Sequence, residues 1–232
     1  MATRLYFHDA ANTQPGTYPS GRQGSTGFAA GVTNISGSGT LKKMNTTIGG
    51  GQVSQGFNSV ANQNIQRFFM RFWVSPPLNG NQTVGGGNYI LNYAHAESNT
   101  NMNIFSAGTY IYVWRPSTGS IVGEVKSTLV ANTIAGTEPG AANSERVWHQ
   151  SGISSSAVSA QDGDVIIVEL YWSFAQGMST SYTGTIYYDG TTQNTTADAV
   201  VSNHASFIEF AENLLFQLPP TNNRRVIVIN EP

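Results

Sequence analysis

Gly163-Asp-Val-Ile-Ile-Val-Glu-Leu-Tyr-Trp-Ser-Phe174 is the stretch that decides the fold. The turn dipeptide Asp162-Gly163 leads into it. Ile166, Val168, Leu170, Trp172 and Phe174 then fall on one face, and Val165, Ile167, Glu169, Tyr171 and Ser173 on the other. Period-two spacing of β-branched and aromatic residues predicts a strand. The second face is still apolar at Val165 and Ile167, so the strand is expected to be central and covered on both sides at one end. A polar turn from Ala175 to Ser181 follows, then strands over Tyr182 to Tyr188 and around Phe207 to Phe210.

Upstream, Arg4 to Phe7 alternates as a short first strand. From His8 to about Asn64 the pattern fades into Gly, Ser, Thr, Asn and Gln, with isolated apolar residues such as Phe28, Val32, Leu41, Ile48 and Phe57. So long a loop is uncommon inside a compact domain. Two readings stand: weakly patterned short strands, or an arm lying on the domain or on a neighbouring subunit. Ile65 to Ser75 is a strong strand, with Phe68, Met70, Phe72 and Val74 on one face and Arg67, Phe69, Arg71 and Trp73 on the other. Pro76-Pro77 closes it, because proline donates nothing to a ladder. Further strands are expected over Asn88 to Ala96, Thr109 to Arg115, Ile121 to Val130 and Val147 to Gly152, with a polar loop from Ala131 to Ser144. No stretch is convincingly helical, although Phe207 to Phe216 can be forced into that pattern. About eight to ten turn-punctuated strands predict an all-β, jelly-roll-like two-sheet β-sandwich. It divides into residues 1–64 (first strand plus extended arm or loops), 65–217 (sandwich core) and 218–232 (linker and C-terminal strand arm).

That last segment is distinctive. Pro219-Pro220-Thr-Asn-Asn223 is a linker, and Arg224, Arg225, Val226, Ile227, Val228 and Ile229 form a bare strand-former after it. It pairs with an edge of its own sheet or donates a strand to a neighbouring chain. Left unpaired, such a strand is an aggregation hazard.

Composition narrows the function. The chain of 232 residues is 39% hydrophobic and 11% aromatic, enough for a core, but only 10% charged with a formal net charge of −2. Nucleic-acid binding needs a clustered positive field and is not expected. There is no cysteine, which excludes disulfides and thiolate metal sites. The start, Met1-Ala-Thr-Arg, leads into alternation rather than an apolar signal region, and no run approaches the roughly 18 apolar residues of a membrane helix. Neither usual export nor membrane insertion is expected. A polar Thr/Asn/Gly-rich surface on a protein made in the cytoplasm fits a virion component, assembled inside a cell and working outside one.

Candidates for chemistry are few. His8, His95, His149 and His204 are scattered. His95 and Glu97 share a face at a strand end, but two ligands without a third are not a metal site. Asp162 and Asp164 flank Gly163, a pattern that holds calcium in some loops and is more often turn chemistry. Glu169 and Glu209 both fall on strands, and a glycosidase needs two carboxylates facing each other across a cleft. No nucleophile elbow or phosphate loop is present, since Gly49-Gly-Gly51 lacks the Lys-Ser/Thr that follows in one. The sequons at Asn34, Asn45, Asn81 and Asn194 read as polar loops in a protein that is not exported. No catalytic residue, metal or cofactor is expected. Tyr110, Tyr112 and Trp114 share one strand face, with Trp73, Tyr89 and Tyr93 expected near it; they read as sandwich core or, alternatively, as a platform for stacking sugar rings.

The segments TRLYFHDAANT, RFFMRFWVSPPL and GDVIIVELYW, with SYTGTIYYDG and SFIEFAENLLF, resemble a family of small tailed-phage virion proteins. That family is similar in turn to the β-sandwich cement proteins of cyanophage capsids and to distal sandwich modules of tailspikes. The likeness covers roughly Thr3 to Phe216. It implies a non-enzymatic homotrimer on the outer capsid surface, bound to the major capsid protein, with Arg224 to Ile229 and the arm before Asn64 as candidate anchors. The alternative it leaves open is a tail or baseplate module that binds host surface glycan through Tyr110, Tyr112 or Trp114.

Overall fold

The computed structural model describes residues 2–20, 33–36, 40–62, 66–102, 104–126, 132–133, 143–174 and 179–218. Its strands are β1 (Thr3–Ala11), β2 (Thr33–Ser36), β3 (Lys42–Asn45), β4 (Val53–Asn58), β5 (Gln66–Val74), β6 (Gln82–Val84), β7 (Asn88–Glu97), β8 (Ile104–Arg115), β9 (Ser120–Lys126), β10 (Asn132–Thr133), β11 (Arg146–Ser154), β12 (Val158–Ala160), β13 (Val165–Phe174), β14 (Thr183–Tyr188) and β15 (Phe207–Phe210). Among the described residues the one helical turn is Thr100–Met102. Thirteen strands form one mixed sheet in the order β10-β8-β13-β5-β3-β1-β15-β7-β14-β4, with β11 on β7, β2 on β5 and β9 on β8. Strands β6 and β12 make a separate two-stranded sheet.

The long path folds back on itself as a two-layer β-sandwich. The turning point is β3, which runs parallel to β5 through Lys42↔Trp73 and antiparallel to β1 through Phe7↔Met44. The strands before residue 64 are therefore part of the main sheet, and the sheet crosses the boundary that the sequence suggests there. Their faint pattern has a physical cause: β3 and β4 are four and six residues long, and few of their side chains reach the core.

Strand β13 lies between β8 and β5, as its two apolar faces require. Ile166, Val168, Leu170 and Trp172 point into the core between the layers, with Ile111, Val113, Met70 and Trp73 from β8 and β5. The opposite layer contributes Leu5, Phe7, Tyr93, Trp148, Ile186, Tyr188 and Ile208. Phe7 stacks on Trp73 at 4.3 Å, and the Trp172 indole donates to the Tyr93 hydroxyl at 2.8 Å, so the layers interlock through aromatic rings with satisfied polar tips. Val165, Ile167 and Tyr171 point outward into a second core with Tyr110, Tyr112, Trp114, Phe69, Phe72, Val74 and Leu41.

One expectation about faces is corrected. Strict alternation puts Met70 with Phe72 and Phe69 with Trp73. The register instead slips where Leu170↔Arg71 is followed by Tyr171↔Phe69, leaving Met70 as the extra residue of a β-bulge. Phe69 and Phe72 then share the outer face, while Met70 and Trp73 enter the inner core.

Candidate functional site

The outer face of β8 and β13 is where the sequence places its aromatic row, and it holds a buried polar cluster. Tyr110, Tyr112 and Trp114 are 4%, 0% and 6% exposed. Register sets Tyr110 opposite Glu169 and Tyr112 opposite Ile167, so the fully buried Glu169 sits amid phenols. Its Oε1 accepts from the Tyr112 hydroxyl at 3.0 Å and its Oε2 from the Tyr171 hydroxyl at 2.5 Å. The Tyr110 hydroxyl donates to Glu124 Oε1 at 2.5 Å. Burial first, then the adjacent Glu169 charge, pushes the Tyr112 hydroxyl far above the ordinary phenol range, and burial with Glu124 does the same to Tyr110. Tyr112 and Tyr171 satisfy the buried Glu169 carboxylate, while Tyr110 donates to the exposed Glu124.

A strap of chain closes this face. The Trp114 indole donates to the Thr17 carbonyl at 2.7 Å, Thr17 N donates to the Pro116 carbonyl at 2.9 Å, and Gln14 Nε2 donates to the Ser75 carbonyl at 3.1 Å. Tyr18 packs against the cluster from above. The three candidate stacking residues therefore belong to a core. Burial of all three leaves no open ring face for a sugar.

The two carboxylates weighed for hydrolysis are not brought together. Strands β5, β3 and β1 separate β13, which carries Glu169, from β15, which carries Glu209. Glu209 is paired with Arg4 at 2.6 Å, and the Arg4 guanidinium also lies over the Phe207 ring at 4.0 Å and donates to Gln193 at 2.5 Å. This staple joins β1, β15 and a loop across most of the chain's length, and no local sequence signal announces it.

The histidines are equally dispersed. His95 is buried among Tyr93, Trp148 and Trp172, with ring centroids 5.3 to 6.0 Å away, and burial pulls its pKa down to about 3. His204 is buried too, at about 4 for the same reason. The Asn92 amide donates to the Asn194 carbonyl, which fixes its oxygen as the acceptor for His204 Nε2–H at 2.9 Å. His8 bridges Asp189 at 3.0 Å and the Thr47 carbonyl at 3.0 Å. His149 is half-buried, and its pKa is lowered by burial and then by Arg4. Among the described residues no three His, Cys, Asp or Glu side chains converge as metal ligands.

Asp162-Gly163-Asp164 is a turn with both acids committed. Gly163 has φ +82°, the left-handed region that glycine enters without strain. The buried Asp164 carboxylate takes Arg115 in a two-pronged ion pair at 2.8 and 2.9 Å, and also accepts Gln161 N. Asp162 accepts Gly80 N at 2.8 Å and Gln217 Nε2 at 3.2 Å. Sequence reasoning missed what these contacts help to build, a clamp that holds residues 214–217 at this end of the sandwich. The candidate anchoring residues Arg224, Arg225, Val226, Ile227, Val228 and Ile229 lie outside the described residues.

No protein-family model matches the chain, and no curated protein matches it. Among solved structures it aligns with one titled "Structure of infectious bursal disease virus Gx strain", at 10% identity and a TM-score of 0.19. The alignment covers 68% of this chain and 38% of that one, so the chain spans well under half of that protein's length. Similarity at this level carries no functional information, and the class that the fold itself defines is an all-β sandwich.

Proposed function

We propose that the chain is a tailed-phage capsid decoration protein, a non-enzymatic homotrimer assembled in the host cytoplasm and seated on the outer capsid surface against the major capsid protein. The observation that carries this is the commitment of reactive side chains to the fold. Glu169, Glu209, Asp164, His95 and His204 each serve a buried partner or an ion pair, and no cleft gathers them. Among the described residues this favours a role carried by surface contacts. The surface is sparsely charged and rich in Gly, Ser, Thr and Asn, which favours solubility over indiscriminate adhesion. The likeness of the strand motifs to phage virion proteins supplies the setting. Many weak contacts repeated over a symmetric shell act as a multivalent clamp.

The test is reconstitution. Purified protein mixed with heads lacking it is expected to bind saturably and to appear by electron microscopy as regular three-lobed density on the outer shell. Absence of shell density, with binding to isolated tails instead, would overturn the proposal.

A further inference from the structure

We propose that Asn79-Gly80 is a self-modification site, at which Asn79 deamidates through a cyclic imide, and that the Asp162 carboxylate holds this reaction in check in the folded chain.

Three dipeptides in the sequence place Asn or Asp directly before Gly: Asn79-Gly80, Asp162-Gly163 and Asp189-Gly190. Glycine has no side chain to shield its nitrogen, which is therefore able to attack the side-chain carbonyl carbon of the residue before it. In the two aspartates that carbon belongs to a carboxylate, whose charge repels a nucleophile at neutral pH. In Asn79 it belongs to a neutral amide, the better electrophile. Asn79 is exposed, and a Cβ built on Gly80 meets nothing within 4 Å, so packing shields neither reacting group.

The reaction balances with water alone. Gly80 N gives up its proton to solvent and bonds to Asn79 Cγ. The Cγ–Nδ2 bond breaks, and that nitrogen takes up a proton and leaves as ammonia. Water then opens the imide at either carbonyl, giving aspartate or, with an added methylene in the main chain, isoaspartate.

The fold controls the nucleophile. Gly80 N donates to Asp162 Oδ1 at 2.8 Å. Attack requires that proton to leave, and a carboxylate so close both holds the proton and repels the amide anion left behind. The other two glycine nitrogens are engaged as well, Gly163 N by the Leu78 carbonyl at 3.0 Å and Gly190 N by the His204 carbonyl at 3.1 Å. Of the three, Gly80 alone is held by a side chain, one that a substitution removes without touching the backbone. Asp162 is itself positioned: Gln217 Nε2 donates to the same oxygen at 3.2 Å, and Gly163 turns the chain beside it. The neighbouring backbone is fixed by Leu78 N on the Asp164 carbonyl at 2.8 Å and by Asn79 N on the Leu215 carbonyl at 2.9 Å. That last contact sets the consequence of modification. A new acid beside Asp162, on a lengthened main chain, loosens the clamp on residues 214–217.

The test follows residue 79 by peptide-mapping mass spectrometry of the full chain during incubation at neutral pH, with fragmentation that separates isoaspartate from aspartate. Folded wild type is expected to keep its amide, and wild type unfolded in urea to convert. Folded Asp162→Ala is expected to convert about threefold or more faster than folded wild type, a factor within the reach of one hydrogen bond, and at the wild-type rate in urea. In that variant hydrogen exchange at the Gly80 amide is expected to quicken while the Leu215 amide keeps its protection. Equal rates in folded wild type and folded variant would overturn the role of Asp162. Conversion of folded wild type as fast as in urea would show that the fold restrains nothing, and no conversion in urea would remove the site. Loss of protection at the Leu215 amide in Asp162→Ala would assign the restraint to the clamp as a whole and overturn its assignment to one carboxylate.

Discussion

Acidification from about pH 7.5 to 5.0 is a perturbation whose effect can be worked from two buried imidazoles. His95 and His204 have ordinary values of 6.5 when unfolded and values of about 3 and about 4 when folded, lowered by burial. Below 6.5 the unfolded chain takes up protons that the native state refuses, so stability is complete above 6.5 and is lost as pH falls toward the folded values. At pH 5.0 each group is displaced by about 1.5 units, or about 2 kcal/mol at about 1.36 kcal/mol per unit. Two such groups cost about 4 kcal/mol, a large share of the roughly 5–15 kcal/mol available to a domain. Glu145, raised by burial, shifts stability the opposite way, and His149, lowered by burial and then by Arg4, adds to the loss, both equally in every variant. Asp9 is lowered from 3.8, so its contribution is lost only beneath this window. Urea unfolding followed by tryptophan fluorescence at both pH values, for wild type and for His95→Phe, separates the terms. The variant is expected to lose about 2 kcal/mol of the pH-dependent difference, the His95 share, whatever its absolute stability. An identical pH dependence in wild type and variant would refute a neutral, buried His95.

Other outcomes are specific to the outer face and the turns. Alanine at Tyr110, Tyr112 or Trp114 is expected to cost about 3–5 kcal/mol, as for other large core aromatics; losses under about 1 kcal/mol in urea titrations would mean that the strap leaves them open to solvent. Gly190→Ala places a Cβ 2.2 Å from the Asn203 carbonyl oxygen, so a clear fall in melting temperature is expected, and an unchanged one would contradict that backbone approach. Asp164→Ala is expected to destabilise more than Asp162→Ala, because the first carboxylate is buried against Arg115 and the second is exposed; equal midpoints in thermal unfolding would count against the ion pair.

The strands with long alternating patterns were legible because both faces are buried over Val165 to Trp172 of β13, Leu91 to Glu97 of β7 and Gly108 to Trp114 of β8. The Met70 bulge was not, since one inserted residue leaves the composition of β5 unchanged while exchanging the faces of its neighbours. Strands β3 and β4 were faint because they are short and carry few core side chains. The histidines and acids read as an inventory without geometry. Only the topology shows that β13 and β15 stand three strands apart, that Arg4 closes on Glu209, and that Gln82 reaches Leu215. The aromatic row shows the same limit: alternation puts Tyr110, Tyr112 and Trp114 on one face, but the strap that buries them comes from residues near the start of the chain.

The most direct measurement is the number of copies of this chain per purified virion, by quantitative mass spectrometry against the major capsid protein. Shell-wide decoration predicts hundreds of copies in a fixed ratio to capsid subunits, following from the symmetry of a closed shell. A handful of copies, or a few dozen, would put the chain on the tail or at a vertex and contradict it.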